Sequence, residues 1–512
     1  MRCITKYIVL FSAILTLAFF VIHSKSATRL DIKNGRIVVG DQTIVGIGLL
    51  NGMWAPRDGP NITRRTIDGQ TGPYYMEDLD ERTDSMVKYN YPAYEHNFGL
   101  WFDRRRDSHN KICHKDGNVK GPFLEQPWAR SKTGTACDGL PLYDLEKFNS
   151  WYFQRLKEFA ALTTSKGLIF HHNYYLQHAL LETQAHYMDF PWRPENTIQK
   201  TGMPSTVPAA NSFYDTTNIE LMRLHRLYIR KVLNEIGDYN NVFHFPGQEY
   251  TGGVEFLRFW MDTIIEWENE IQGRSVMIGI AATKDVLDNL LNDKIRSKHI
   301  DVIDLRFFWI EEDGDLFAVE GGKEFPGRMF FGGNIMVESS SSKIYQQTVE
   351  YRLNYPDKVI THAVNRKISK FLPFMMGGGS ISYVKAKVRK SEDIPAEYQI
   401  PEIVRPLYGF KKFFRQYLAD SFHELGIDSN NTKHNENLFV LSSETSMLAY
   451  TINSDNFELD LTGLNGNYRV VWFGPYTDTL IKQKALLAGG AVTPFSPPDQ
   501  KQSWMVWLEP AD

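Results

Sequence analysis

Cysteine is scarce: the chain has three in 512 residues, and Cys3 stands ahead of an apolar leader. The other two, Cys113 and Cys137, fall in one stretch rich in Gly, Pro and charge. A single loop-stapling disulfide fits that setting, and so do two unrelated thiols. Two cysteines do not make a zinc site by themselves. Charge of one sign is lacking too. With 57 Lys+Arg against 61 Asp+Glu the formal net charge is −4, and a mildly acidic chain lacks the basic footprint that nucleic acid requires. After Ile22 no second run is apolar enough to span a bilayer. No internal repeat and no low-complexity tract interrupts the chain. A 42% hydrophobic and 23% charged composition with 37 Gly and 23 Pro excludes disorder, coiled coil and collagen-like fibre.

What the chain has in quantity is aromatic residues: 32 Phe, 25 Tyr and 11 Trp, or 13%. Many stand beside polar residues in loop-like stretches, a pattern suited to stacking on flat ligand faces. At the N-terminus, Arg2 and Lys6 precede an apolar run from Tyr7 to Ile22, and Ser24 and Ser26 supply small residues for cleavage. Residues 1–26 are therefore expected to be a signal peptide, with the mature protein secreted or periplasmic. A retained membrane anchor is the alternative.

The stretch Leu30–Ile44 reads as a hairpin, with turn residues between alternating apolar positions. Eight candidate strands follow: Ile44–Leu49, Tyr91–Asn97, Leu168–Asn173, Val242–Phe245, Val276–Ala281, Val302–Phe307, Lys358–Ala363 and Ser380–Val384. Helical spacing separates them, most clearly at Ile219–Ile236 and Val254–Ile271, with a further helix at Phe410–Leu425. Eight strands alternating with helices predict an α/β fold of the (β/α)8, or TIM-barrel, class over residues 27–425. An open doubly wound sheet is the alternative, but no Gly-rich phosphate turn follows the first strand. Gly426–Asn437 reads as a polar linker. Residues 438–512, with short strands at Leu438–Leu441, Met447–Ile452, Phe457–Leu461, Tyr468–Phe473 and Trp504–Leu508, predict a small C-terminal antiparallel β-sandwich.

In a barrel the reacting groups come from the C-terminal ends of strands and the loops after them. The fourth strand runs into Gly247-Gln248-Glu249-Tyr250, where an acid sits among aromatics and glycines. An apolar setting raises a carboxyl's pKa and suits a general acid, so Glu249 is the first catalytic candidate; capping of the next helix is the structural alternative. The second acid is expected to be Asp304, beside Arg306 on the sixth strand, or Asp103, in the loop after the second. Asp304 with Arg306 also fits a plain barrel-interior ion pair. A separation of ~6.5–9.5 Å from Glu249 would favour inversion in glycoside chemistry. Ligand contacts are expected from Trp101, Trp192 and Trp309 as stacking plates, from Arg104 and Arg193 toward an acidic group, and from His171, His172 and Arg306. Packing under their own loops is the alternative for the tryptophans. Imidazoles clustered with Glu182 could hold zinc, but no His-x-x-x-His or His-x-His spacing supports it. No metal and no cofactor are expected.

The layout of leader, short β start, eightfold barrel and C-terminal sandwich is similar to secreted bacterial glycoside hydrolases of the clan A type. Tyr468-Arg-Val-Val-Trp-Phe-Gly-Pro475, with Trp504-Met-Val-Trp-Leu508, resembles the terminal sandwich of apiosidase-like pectin-degrading enzymes. The stretches HNFGLWFDRRRDSH, DFPWRPENTI and QEYTG resemble a family of exported, largely uncharacterised proteins of glycan-degrading Bacteroidota. The resemblance implies a glycoside hydrolase acting on an oligosaccharide, one that contains pectic or uronic-acid units in the case suggested by the arginines, and a monomer with neither nucleic acid nor membrane as partner. Clan A enzymes carry an Asn-Glu acid/base on strand four and a Glu nucleophile on strand seven. Gln248-Glu249 matches the first with a changed neighbour. Strand seven offers His362 and Asn365 and no acid, which leaves a glycan-binding protein on the same scaffold as the alternative.

Overall fold

The computed structural model describes residues 29–50, 61–65, 76–98, 123–182, 184–248, 250–324, 339–363, 368–385, 405–432, 436–452, 455–499 and 502–511. The chain begins with an antiparallel meander, β1 (Leu30–Lys33), β2 (Arg36–Val39) and β3 (Gln42–Ile44). Asn34 and Gly35 both take positive φ at its first turn, the geometry that an Asn-Gly hairpin turn supplies.

Eight strands then close into a parallel barrel in chain order: β4 (Gly46–Leu50), β5 (Ala93–His96), β6 (Ile169–Leu176), β7 (Val242–Gln248), β8 (Met277–Ala281), β9 (Ile300–Asp304), β10 (Val359–His362) and β11 (Ile381–Lys385). Each coincides with a strand expected from the sequence. Around them run α1 (Leu79–Tyr89), α2 (Ser150–Ser165), α5 (Ile219–Ile236), α6 (Val254–Glu270), α7 (Lys284–Asn292), α8 (Ser341–Asn354), α9 (Ile368–Met376) and α10 (Arg405–Tyr417). The loop after β6 opens with two single-turn helices, α3 (His178–Leu181) and α4 (Gln184–Tyr187). Side-chain caps start two of the long helices, α2 and α5: Asn149 accepts from the Trp151 N–H at 3.1 Å, and Asn218 from that of Leu221 at 3.1 Å.

The barrel alternates inward and outward residues along every strand. Outward residues such as Tyr94, Phe170 and Tyr174 meet Phe159 and Trp260 of the helical layer, edge to face. Inward residues Ala93, Ile169, Phe243, Val302, Val359 and Ile381 share one buried cluster with Leu30 and Ile37 of the meander. The meander therefore plugs the N-terminal end of the barrel. Arg36 fastens it by donating to the Gly379 carbonyl at 2.9 Å, and Arg352 by donating to that of Gly35 at 2.9 Å. Inside, Phe245 lies where a Cβ on Gly279 would stand 2.1 Å from its ring, so only glycine admits that ring there.

The C-terminal part is a larger antiparallel sheet, including β12 (Leu438–Ser442), β13 (Met447–Thr451), β14 (Asn467–Gly474), β15 (Thr479–Lys482) and β16 (Trp504–Pro510), with a two-stranded sheet, Phe457–Asp460 paired with Val492–Phe495. Alternation sorts its side chains. Val440, Ala449, Trp472 and Val506 pack toward the small sheet, whereas Phe439, Tyr450, Phe473 and Trp507 join the core of the barrel's helices. Phe473 stacks on Phe413 of α10 with centroids 4.8 Å apart. Two expectations need correction. The helix expected to Leu425 ends at Tyr417, and a 3-10 turn occupies Phe422–Glu424. Part of the expected linker is structured, because Gly426–Ile427 pairs with β12 and Ser429–Thr432 is a helical turn. Backbone pairing there is satisfied by the sheet edge, which a polar composition does not reveal.

Candidate active site

The inward row changes chemistry toward the C-terminal ends of the strands. Glu95 on β5, His171 and Asn173 on β6, Asp304 at the end of β9, Thr361 on β10 and Tyr383 on β11 converge with Arg306, and all are buried. Arg306 bridges two carboxylates. Its Nη1 donates to Glu95 at 3.1 and 2.9 Å, while Nε and Nη2 donate to the two oxygens of Asp304 at 2.8 and 2.7 Å. Asp304 also accepts from the Arg306 backbone N–H at 3.0 Å and from the Thr361 hydroxyl at 2.7 Å. Four donors thus occupy its two oxygens, which fills a carboxylate's acceptor capacity. Burial alone would raise the Asp304 pKa; the Arg306 charge and these hydrogen bonds prevail and hold it at about 2. The same two carboxylates keep Arg306 charged despite burial.

Glu95 is held more loosely. Besides Arg306 it accepts from the Asn173 amide at 3.0 Å, and His171 Nε2 lies 3.9 Å away. The His171 ring stacks on Phe245 at 3.7 Å and meets the Tyr383 edge at 5.0 Å. Burial lowers its pKa to about 4, so it is neutral at pH 7. His362, at the end of β10, is likewise lowered by burial to about 4. Among the described residues, His171 Nδ1, His362 Nε2 and the Tyr383 hydroxyl have no hydrogen-bond partner.

The expected site residues divide. His171, Asp304 and Arg306 meet in this cluster, and Asp304 has the geometry of the barrel-interior ion pair. His172 does not meet them. Residues one apart on a strand point to opposite faces, so it faces the helical layer, stacked on His96 at 5.6 Å. Trp192 is fully buried, with one face against His225 at 4.6 Å. Trp309 stacks on Phe317 at 4.1 Å within the Phe308–Ile310 and Leu316–Ala318 hairpin. These two tryptophans pack under their own loops, and Trp192 offers no open face. Arg193 pairs with Glu195 at 3.1 Å and donates to the Ser205 carbonyl at 3.0 Å. Glu249, Asp103, Trp101, Arg104 and Cys113 lie outside the described residues. The positions flanking Glu249 are fixed: Gln248 ends β7, and Tyr250 bridges to Ala282 beyond β8.

Two further features lie outside the expected catalytic and ligand-binding set. Glu95 was hidden inside a strand, though its alternation with His96 was the signal. The second feature is His178, Glu182 and His186, whose ligand atoms lie within 4.8 Å of one another. His178 Nε2 contacts Glu182 Oε2 closely, and His186 Nδ1 is 2.9 Å from the same oxygen. Burial works against the Glu182 carboxylate, but hydrogen bonding from the two imidazoles overcomes it and keeps the group ionised. The sequence raised zinc at Glu182 but set it aside for want of a His-x-x-x-His or His-x-His spacing; the i, i+4, i+8 spacing of His178, Glu182 and His186 was the available signal. Next to it, Gln177 ties the β6 loop to the β7 loop, accepting from the Thr251 N–H at 2.9 Å and bonding its hydroxyl.

Residues 16–396 match the family described as Domain of unknown function (DUF6298). No curated protein matches the chain. Among solved structures, a protein titled glycoside hydrolase is similar at 10% identity and a TM-score of 0.54, over 94% of this chain and 97% of that one. A glycoside hydrolase family 5 protein from Bacteroides vulgatus ATCC 8482 is similar at 9% identity and a TM-score of 0.54, over 94% and 93%. At such identities the likeness is one of fold.

Proposed function

This chain belongs to the DUF6298 family, and we propose that it is an exported glycoside hydrolase that cleaves a polysaccharide-derived oligosaccharide with Glu249 as general acid. The observation that carries the reading is the charged interior of Glu95, Arg306 and Asp304, lying toward the strand ends of a barrel whose fourth strand stops one residue before Glu249. Barrel enzymes gather their reacting groups at that end, and sugar hydrolysis needs two carboxylates of unequal environment. Asp304, with its acceptor positions filled, orients Arg306; Asp103 and Glu95 are the acids left to activate water or attack. Glu249→Gln is expected to lower turnover by at least ~10²-fold, the lower scale for lost acid–base help, with thermal stability nearly unchanged. The assay is product chromatography on pectic and arabinogalactan oligosaccharides. Undiminished turnover in the variant would remove Glu249 from the mechanism.

A glycan-binding protein without catalysis is the second reading. It is favoured by the end of β10, where His362 stands in place of an acid, and by the full engagement of Asp304. Saturable binding of an oligosaccharide that is never cleaved would establish it.

A further inference from the structure

We propose that His178, Glu182 and His186 form a binding site for one divalent transition-metal ion of the zinc type at the C-terminal rim of the barrel. The inference is independent of the glycosidase reading. Two imidazoles and one carboxylate are the donors that hold zinc in sites where a fourth position stays open. Magnesium and calcium prefer oxygen ligands throughout.

Placement favours an ion as much as donor type does. Positions four apart share one helix face, and the rings of His178 on α3 and His186 on α4 meet at a tilt with centroids 4.6 Å apart. Zinc at ~2.0–2.2 Å from each ligand needs donor atoms little more than 3 Å apart. The three atoms already lie within 4.8 Å, and two pairs are closer than that spacing. Small side-chain rotations that part the close pairs would admit the ion. His186 is buried and Glu182 nearly so, while the His178 side chain keeps 12% exposure. Entry and the open coordination position are on the His178 side.

The scaffold is fixed independently of any ion. Leu180 accepts from the Ala209 N–H at 2.8 Å, Gln184 donates to the Ser205 carbonyl at 3.1 Å, and the Tyr187 hydroxyl donates to that of Pro204 at 2.7 Å. A site held by its surroundings loses little entropy on loading. Because Gln177 precedes the first ligand and holds Thr251, the ion would clamp the β6 loop beside the loop that carries Glu249.

The test uses the full, untagged chain stripped with EDTA and titrated with Co(II), followed by its visible d–d absorption. One equivalent should give a saturable band that Zn(II) abolishes and Mg(II) does not. Zn(II) should also raise the melting temperature, as binding to the folded state requires. In Glu182→Gln, which keeps the side chain's size, and in His178→Ala, at the most exposed ligand, affinity should fall by at least ~10²-fold, beyond the loss typical of an outer-shell change. The Zn(II)-induced melting shift should vanish in both. Absence of a stoichiometric band in the native chain would overturn the proposal. So would a band of undiminished affinity in both variants, or displacement of Co(II) by Mg(II).

Discussion

At its N-terminal end the barrel is filled with hydrocarbon, Leu30 and Ile37 of the meander meeting Ile169, Phe243 and Val302, whereas toward the C-terminal end the same interior is filled by a guanidinium between two carboxylates. The two fillings obey different physics. The apolar end gains from burial in proportion to area and tolerates reshaping. The charged end must recover the desolvation of three ions through geometry, and hydrocarbon of equal volume would often be as stable. A fold that puts its ions at one end has placed them where a barrel does chemistry.

The largest expected effect comes from removing the cation alone. Arg306→Met leaves Glu95 and Asp304 buried without it and should cost ~3–5 kcal/mol, as breaking a buried pair does. Urea unfolding at neutral pH measures this, and an unchanged midpoint would mean that the cluster is not the costly end. At the other end, Ile37→Ala should cost about 2–3 kcal/mol, the lower part of the range for such truncations because the plug lies on the chain's own meander. A loss as large as that of Arg306→Met would erase the contrast.

Acid sharpens the comparison with the smallest effect near neutrality. His171 and His362 refuse protons until about pH 4 in the folded state, while the unfolded chain takes them up near 6.5. Stability should therefore fall as pH drops from about 6.5 to 4, by up to about 1.4 kcal/mol per pH unit for each such histidine. Asp304 runs on a lower window. Its folded pKa of about 2 lies below the unfolded value near 3.9, so its contribution is complete above about 3.9 and is lost as pH falls toward 2. Ile37→Ala should lower the whole curve without changing its shape, whereas Arg306→Met should change the shape, because burial without the cation raises the Asp304 pKa.

The barrel was legible because most of its strands are short apolar runs, and buried parallel strands advertise themselves that way. The site was less legible, because function depends on facing. His171 and His172 are indistinguishable in composition, yet one residue of register puts the first in the interior and the second against the helices. Trp192 misled for a related reason: aromatic content marks a core and a sugar platform alike, and only the packing against Trp128, Phe213 and His225 decides. Zinc at Glu182 was raised and set aside on spacing, because the helical run that aligns His178 and His186 with it is broken into two single turns, too short for periodicity to register.

The two-faced alternation of the C-terminal sheet limits how this chain can be divided. Phe439, Leu441, Tyr450, Val471, Phe473, Met505 and Trp507 belong to the same apolar cluster as the barrel's helices, and Phe439 meets Tyr345 of α8 at 4.5 Å. A cut at residue 425 would pass through a shared interior and leave α8 and α10 with a wet hydrocarbon face. The last strands are thus not a separately folded unit tethered to the barrel but share its core. They are the outer wall of the barrel's helical layer.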